Sequence, residues 1–301
     1  EISSLFQGLM VPLCTYIILA ISLNLVVGIL GELSLGHAGF MCVGAFTSSF
    51  FSKAMQDTIT NSTVRFLLAL LIGIITAAIF GIIIGIPVLR LNGDYLAIVT
   101  LAFGEIIKNL VNVLFIGKDS KGFHFSTKDA VSLNMEPDGK IILNGPQGIT
   151  GTPNDSTFFI GFILILVTLF IVLNLIHSRD GRAIMAIRDN RIAAESIGIN
   201  ITKYKLMTFT ISAAMAGAAG VLYAHNLSNL TANTNNFGYN MSINILVFVV
   251  LGGIGNIRGS IIAAVVLTLL PELLRGMSDY RMLIYAIVLI VMMLFNWAPK
   301  A

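Results

Sequence analysis

The chain has 301 residues, of which 56% are hydrophobic and only 11% are charged. Because soluble domains carry about 25% charged residues, this composition excludes a water-soluble globular protein and indicates a chain that lies in a lipid bilayer. The formal net charge of +3 gives no reason to expect a nucleic-acid partner.

Apolar runs divide the chain into nine segments. A backbone in lipid must satisfy its own hydrogen bonds, and these runs lack the alternation of a membrane barrel, so each is predicted to be a helix. The segments are 9–30, 33–51, 66–89, 95–116, 158–176, 206–224, 242–257, 259–274 and 282–297. The sequence therefore predicts an all-α polytopic membrane protein of about 8–10 transmembrane helices, some of them broken, in one domain covering residues 1–301. Cys14 and Cys42 lie inside apolar runs and are expected to be buried and unpaired.

Two polar stretches set the expected orientation. Residues 178–205 hold six of the basic residues, and a dense basic loop is typical of the cytoplasmic side. Alternation from this loop places Glu1 outside the cell and Ala301 inside. Residues 117–156 then form a long extracellular loop, with turn signals such as Pro137, which we expect to fold partly over the pore mouth.

Glycine, serine and histidine crowd into two places at membrane depth, residues 31–44 and 251–260. Irregular backbone survives there only inside protein or beside a water-filled cavity, and transporters use broken helices to present backbone groups to substrate. The alternative is close helix packing through small residues. The two breaks share a layout that suggests an internal repeat. The candidate pathway residues at and near them are Ser34, Gly36, His37, Gly39, Phe40, Phe103, Glu105, Gly252 and Gly253.

Several of these candidates have a structural alternative. His37 can be a hydrogen-bonded structural residue or can contact substrate or a proton. Glu105 and Lys108 lie three residues apart on one predicted helix face, where an ion pair is the simpler interpretation and a transport role the other. Phe40 and Phe103 can line an apolar passage or pack between helices.

Residues 182–197 suit one short amphipathic helix that Gly198 would end. Three interpretations remain open for it. It can be a solvated basic loop that fixes topology, a helix on the membrane surface, or a docking helix that enters a groove on a cytoplasmic partner.

Five stretches resemble one known family in order and spacing: 31–40, 91–106, 145–151, 181–200 and 251–255. They are similar to the permeases of ATP-binding-cassette importers for branched-chain amino acids. The Gly-Asp-Tyr-Leu-Ala stretch at 93–97 is typical of the M-type permease rather than its H-type partner. Family members usually begin with a further hydrophobic span, which we expect to precede Glu1.

The resemblance implies a permease fold and a pore subunit that takes up leucine, isoleucine or valine across the cytoplasmic membrane of a prokaryote by alternating access. It implies a homologous second permease, two ATP-binding subunits that hold ATP and Mg²⁺, an extracellular solute-binding protein and surrounding lipid. This chain would hold no cofactor and would not be an enzyme, since residues 117–120 lack the pattern of a phosphate-binding loop. The expected residues for coupling to the ATPase are Arg182, Arg188, Ala193, Ala194, Glu195 and Gly198.

Other functions stay open at this point. The solute can be urea, a short amide or another amino acid. An ion-coupled secondary transporter would need a membrane carboxylate, for which Glu105 is the candidate. An intramembrane hydrolase could use Ser34 and His37, but the sequence has no Gly-x-Ser-x-Gly elbow to support it.

Overall fold

The computed structural model describes residues 2–273, except 57, 92, 120–121, 134 and 136–138, and also describes 286–287, 290–291 and 294. Most of the ninth predicted segment, 282–297, and the predicted turn at Pro137 lie outside these described residues.

Helices dominate the described part of the chain. They are α1 (Ile2–Asn24), α2 (His37–Ala54), α3 (Ser62–Val88), α4 (Asp94–Val113), α5 (Phe158–His177), α6 (Arg179–Asp189), α7 (Arg191–Ser196), α8 (Ile201–Ala224), α9 (Thr234–Phe237), α10 (Tyr239–Gly252) and α11 (Ile257–Leu273). A π-helical turn, Leu25–Leu30, continues α1. Within the described ranges, five helices are long and apolar enough to cross a membrane: Gly8–Leu30, Ser62–Val88, Asp94–Val113, Phe158–His177 and Ile201–Ala224. The all-α polytopic fold is confirmed.

The centre of the bundle is formed by α1, α2 and α8, whose residues are mostly buried. Glycines let α2 and α8 approach closely: a Cβ atom added to Gly44 would lie 2.4 Å from the carbonyl oxygen of Gly217. Cys14 and Cys42 are buried and unpaired, as predicted. By contrast, α3 and α5 bury only 22% of their most apolar windows, so most of their surface faces lipid.

Two histidine–serine pairs fix the ends of α2. At its start, His37 Nε2 lies 2.6 Å from Ser22 Oγ of α1. At its end, Ser52 Oγ lies 2.7 Å from Nε2 of His225, the residue after α8. Since Nδ1 of His225 lies 2.9 Å from the carbonyl of Val221, which can only accept, Nδ1 carries the proton and Nε2 accepts from Ser52. Burial lowers the pKa of His225 from its ordinary value of 6.5, which favours this neutral ring.

The polar stretch 117–156 carries small sheets that the sequence analysis did not anticipate. Strands β1 (Phe115–Asp119), β2 (Gly122–Ser126) and β3 (Lys140–Asn144) form an antiparallel sheet in the order β2-β1-β3, and β4 (Ile149–Thr150) pairs with β5 (Asn229–Leu230). Lys53, near the end of α2, donates to the carbonyl oxygens of Ile141 at 3.1 Å and Thr150 at 2.8 Å. The stretch is therefore anchored on the end of α2.

The prediction of one helix over 182–197 was wrong, because residues 178–205 contain two short helices before α8. The three helices α6, α7 and α8 each begin at a side-chain cap. Ser178 accepts from the amide of Gly181, Asn190 from that of Ala193, and Asn200 from that of Lys203. Asn190 has extended backbone angles, so it ends α6 and starts α7 at the same residue. Gly198, with φ of +87°, lies just beyond α7, where a helix stop was predicted.

Candidate translocation and coupling site

The first glycine break separates the π-helical turn from α2. Gly31 ends the turn in a left-handed conformation with φ of +79°, and residues 32–36 have no regular structure. The break packs on α4: Leu35 N donates to Thr100 Oγ1 at 3.0 Å, and a Cβ atom on Gly36 would lie 2.2 Å from the carbonyl oxygen of Thr100. Small residues are therefore needed here for close packing, whether or not solute passes nearby.

Most candidates around the first break are packed inside the bundle. Gly39 lies against Gly104 of α4, and Phe40 is 1% exposed with its ring 5.2 Å from Phe103 and 5.4 Å from Phe209. The buried hydroxyl of Ser34 has no hydrogen-bond partner among the described residues.

Ser34 and His37 do not form the nucleophile–base pair that a hydrolase would need. His37 Nε2 bonds to Ser22 of α1 instead, which leaves the ring committed to holding α2 against α1. The structure thus gives His37 a structural contact.

The predicted ion pair between Glu105 and Lys108 is confirmed, with 2.5 Å between Oε2 and Nζ. The other carboxylate oxygen of Glu105 accepts from the backbone amide of Tyr239 at 2.8 Å, which is the first residue of α10. Lys108 also donates to Thr234 Oγ1 at 3.1 Å. These contacts commit Glu105 to joining α4 to the start of α10, where a negative charge stabilises the helix N-terminus.

The second break separates α10 from α11. Gly252 ends α10 and packs on Ser260, to which its Cβ atom would lie within 2.4 Å, while Gly253 and Gly255 have φ of +96° and +82°. Asn24 of α1 bonds both to the break itself and to α11. Its Nδ2 donates to Ser260 Oγ at 2.8 Å, and its Oδ1 accepts from the amide of Gly255 at 2.9 Å.

The second break packs on Gly28 of the π-helical turn, which leads into the first break. A Cβ atom on Gly28 would lie 2.0 Å from Asn24 Oδ1 and 2.3 Å from the amide nitrogen of Gly255, so no larger residue fits without moving backbone. The carbonyl oxygen of Gly28 accepts from Arg188 Nη1 of α6 at 3.0 Å. We call the contact of Asn24, Gly28, Gly255 and Arg188 the glycine node.

Two further contacts join the 178–205 loop to the first break. The aliphatic stem of Arg188 covers Gly31, whose Cβ atom would lie 2.6 Å from Arg188 Cγ. Lys205, at the start of α8, is 2% exposed and forms an ion pair with Glu32. A cavity of about 390 Å³ lies between the break and the loop, lined in part by Asp94 and these residues. The loop therefore contacts the first break through both α6 and the start of α8.

The remaining coupling candidates lie on the outer side of the loop. Arg182, Ala193, Glu195 and Gly198 are exposed, whereas Ala194 is 2% exposed and packs with Ile187 and Ile201. Exposed isoleucines accompany them: Ile192 is 81% and Ile197 is 74% exposed. This patch of Ile192, Ala193, Glu195, Ile197 and Gly198, which we call the α7 patch, presents apolar side chains on an otherwise polar loop.

Comparison with known proteins identifies the family. Residues 5–295 match the family described as branched-chain amino acid transport system / permease component. The chain belongs to this family. It is 35% identical to the LivM permease protein of a high-affinity branched-chain amino acid transport system from Salmonella typhimurium, over 95% of this chain and 67% of that protein. It is 26% identical to a probable LivM protein of Methanocaldococcus jannaschii, over 81% of this chain and 74% of that protein. It is 27% identical to the LivH permease protein of Salmonella typhimurium, over 84% of this chain and 79% of that protein. No solved structure matches.

Sequence reasoning missed two residues of the permease's glycine node. Neither Asn24 nor Gly28 was singled out, although Asn24 is a lone amide in the apolar run 9–30 and is fully buried. A buried amide must find hydrogen-bond partners, and that requirement was the available signal. Among the predicted coupling residues, Arg188 contacts the node through the carbonyl of Gly28. Two predicted pathway residues, Gly252 and Gly253, lie nearby at the end of α10.

Proposed function

We propose that this permease is the translocation subunit of an ATP-binding-cassette importer that takes up leucine, isoleucine and valine across the cytoplasmic membrane of a prokaryote. ATP and Mg²⁺ bind to two separate partner subunits, and an extracellular binding protein delivers the solute. The relatives include LivM and LivH permease proteins of branched-chain amino acid transport systems, which supports this solute class and a second, homologous permease.

The observation that carries the proposal is the bond from Arg188 to the carbonyl of Gly28. It joins the polar loop directly to the contact between the π-helical turn and the second glycine break, so a displacement of α6 reaches the end of α1 and the connection between α10 and α11. A conformational change needs an element whose two states are bound differently by the driving partner. Here that element is the loop, and its movement is transmitted to the glycine node.

The α7 patch is the surface that we assign to the ATP-binding partner. Exposed isoleucines on a polar, basic loop fit an apolar groove with an acidic rim on a cytoplasmic protein, and such helix-in-groove docking uses side chains of this kind. When the partners close on ATP, α7 moves with them and α6 follows through their shared residue Asn190. The loop then tilts α5 and α8, to which it is directly joined.

A second function, ion-coupled transport by the lone chain, has less support. Its candidate carboxylate, Glu105, is paired with Lys108 and caps α10. An ion site at Glu105 would have to break both contacts, at a cost of several kcal/mol for a carboxylate removed from its partner.

The test is solute uptake into proteoliposomes that contain the permease with its co-purified partner subunits and binding protein. We expect uptake of labelled leucine that requires ATP hydrolysis, is competed by isoleucine and valine, and is not competed by urea. Uptake by the permease alone, driven by a proton or sodium gradient, would instead support the secondary transporter. Competition by urea or by short amides alone would assign a different solute.

A further inference from the structure

A second cavity lies at the end of the bundle opposite to the 178–205 loop. It is an open cleft of about 500 Å³, bordered by the early part of α1, the end of α8, the first half of α10 and the end of α11. Tyr223 lies 22 residues beyond the start of α8, which places the cavity about 33 Å along that helix from the loop. We call it the distal cavity.

The walls of the distal cavity combine apolar surface with neutral polar groups. Phe248, Met241 and Leu267 are at most 7% exposed and form an apolar wall. Tyr16 packs on Phe248 with ring centroids 6.1 Å apart. The polar groups of the lining come from Tyr16, Tyr223, Asn226, Asn244 and Thr268.

Thr268 contributes a hydroxyl group without a hydrogen-bond partner among the described residues of this wall. Its hydroxyl oxygen is buried and has no hydrogen-bond partner among the residues that the structure describes. A buried hydroxyl without a partner is destabilising, and buried polar groups in native proteins usually find one. Because this oxygen is buried, a solute in the cavity can bond to it only if the Thr268 side chain turns toward the cavity.

The chemistry of the lining selects a small amphipathic solute. None of the thirteen described residues around the cavity is charged. A zwitterion can place its ammonium and carboxylate groups against neutral amides and hydroxyls, and its branched alkyl group against the apolar wall. Without a charged partner the binding stays weak enough for release, which a translocation site requires.

The distal cavity is also connected to the glycine node. Three of its four walls, α1, α10 and α11, begin or end at the node, so any change in their angles there changes the shape of the cavity. We propose that the distal cavity is the solute-binding station of this permease and holds a branched-chain amino acid between α1, α10 and α11. This inference rests on the proposed function, since it places the proposed solute.

Protection of an introduced cysteine tests occupancy in the complete reconstituted transporter. Asn244 is exposed in the cavity, so Asn244→Cys should react with a soluble maleimide, while native Cys14 and Cys42 are buried. At a leucine concentration tenfold above the dissociation constant, labelling should slow about elevenfold, because only the empty site reacts. Val131→Cys, which is 85% exposed on the 117–156 stretch and lies outside the cavity lining, is the control and should keep its rate. An unchanged rate at Asn244→Cys, at leucine concentrations that saturate uptake, would overturn the proposal.

Filling the cavity tests the same idea without a probe. Gly8 lines the cavity, and a Cβ atom on Gly8 would meet no described residue within 4 Å, so a large side chain can be accommodated without backbone strain. Gly8→Phe should reduce leucine uptake at least about tenfold, whereas Gly8→Ala should stay within about twofold of the wild type. Thr268→Val should raise the half-saturating leucine concentration about fivefold through one lost hydrogen bond. Thr168→Val on α5, whose hydroxyl bonds within its own helix, is the matched control.

The outcomes distinguish a failure of the proposed binding site from a failure of the proposed transport function. If the wild-type transporter takes up leucine but Gly8→Phe and Thr268→Val behave like their controls, the distal cavity is not the station and the proposed function stands. If the wild-type transporter does not take up branched-chain amino acids at all, the proposed function itself fails.

Discussion

Replacing Arg188 with methionine isolates the contact on which coupling is proposed to depend. Methionine keeps an unbranched apolar stem over Gly31 but removes the guanidinium that donates to the carbonyl of Gly28 at 3.0 Å. The permease should therefore assemble with its partners and keep its melting temperature within a few degrees. What it should lose is the direct bond from α6 to the glycine node.

The size of the loss follows from the type of bond. A hydrogen bond from a charged donor contributes about 1.5–3 kcal/mol. The side chain of Arg188 is 37% exposed and also bonds to Asp189, so the lower end of this range applies. About 1.5 kcal/mol corresponds to roughly a tenfold change in an equilibrium constant. We expect the amount of leucine transported per ATP hydrolysed to fall about tenfold, with the ATPase rate itself within about twofold of wild type.

The assay measures both rates in the same proteoliposomes, with labelled leucine and released phosphate both determined in the lumen, on the side of the ATP-binding subunits. Arg179→Met is the matched control, since Arg179 is an exposed arginine in the first turn of the same helix. Normal leucine transport per ATP in Arg188→Met would refute the role of this bond. Equal losses in both variants would show that the net charge of the loop, rather than the Gly28 contact, matters.

Three other variants test other contacts. Lys205→Met leaves the partly buried Glu32 without its cation and should lower the free energy of unfolding by about 3 kcal/mol, measured by denaturation in detergent. Adding Glu32→Gln should recover part of the loss. Glu195→Ala, in the α7 patch, and Gly198→Ala, which strains a φ of +87°, should each lower leucine uptake per ATP while the subunits still co-purify. The pKa of His225 is lowered from 6.5 in the folded protein, so the unfolded chain binds the proton more readily. The stability should therefore fall as the pH drops below 6.5. In melting experiments, His225→Asn should weaken this pH dependence.

The membrane helices could be predicted from the sequence because their signal is local. Long apolar runs such as Ser62–Val88 have no other stable arrangement in lipid, and the glycine-rich stretch at 31–36 could be recognised as a break before its structure was known. The start of α7 was missed although its cap, Asn190, is equally local. A helical periodicity continues across Asn190 in the sequence, and the capping signal was not weighed against it.

The glycine node could not be predicted, because it depends on contacts between distant parts of the chain. Gly28 and Gly255 meet only after α1, α10 and α11 have packed, and nothing near either glycine specifies the other. The same applies to the ion pair of Lys205 with Glu32 and to the cap that Glu105 provides for α10. Local patterns gave the elements and the candidate residues, whereas packing decided which of those residues were committed to structure.

The position of the node explains how a small movement of the loop can have a large effect on the distal cavity. Pro12 lies 16 residues from Gly28 along α1, a distance of about 24 Å in a helix, so a tilt of about 5° at the node moves the cavity wall by about 2 Å. Two glycines with positive φ, Gly255 in the node and Gly253 close to it, can change their angles with little steric resistance. Helices that keep their internal hydrogen bonds and turn about such a hinge move as rigid arms. On this account Gly28 and Gly255 form the pivot, and the passage of solute is controlled at the far ends of the helices that meet there.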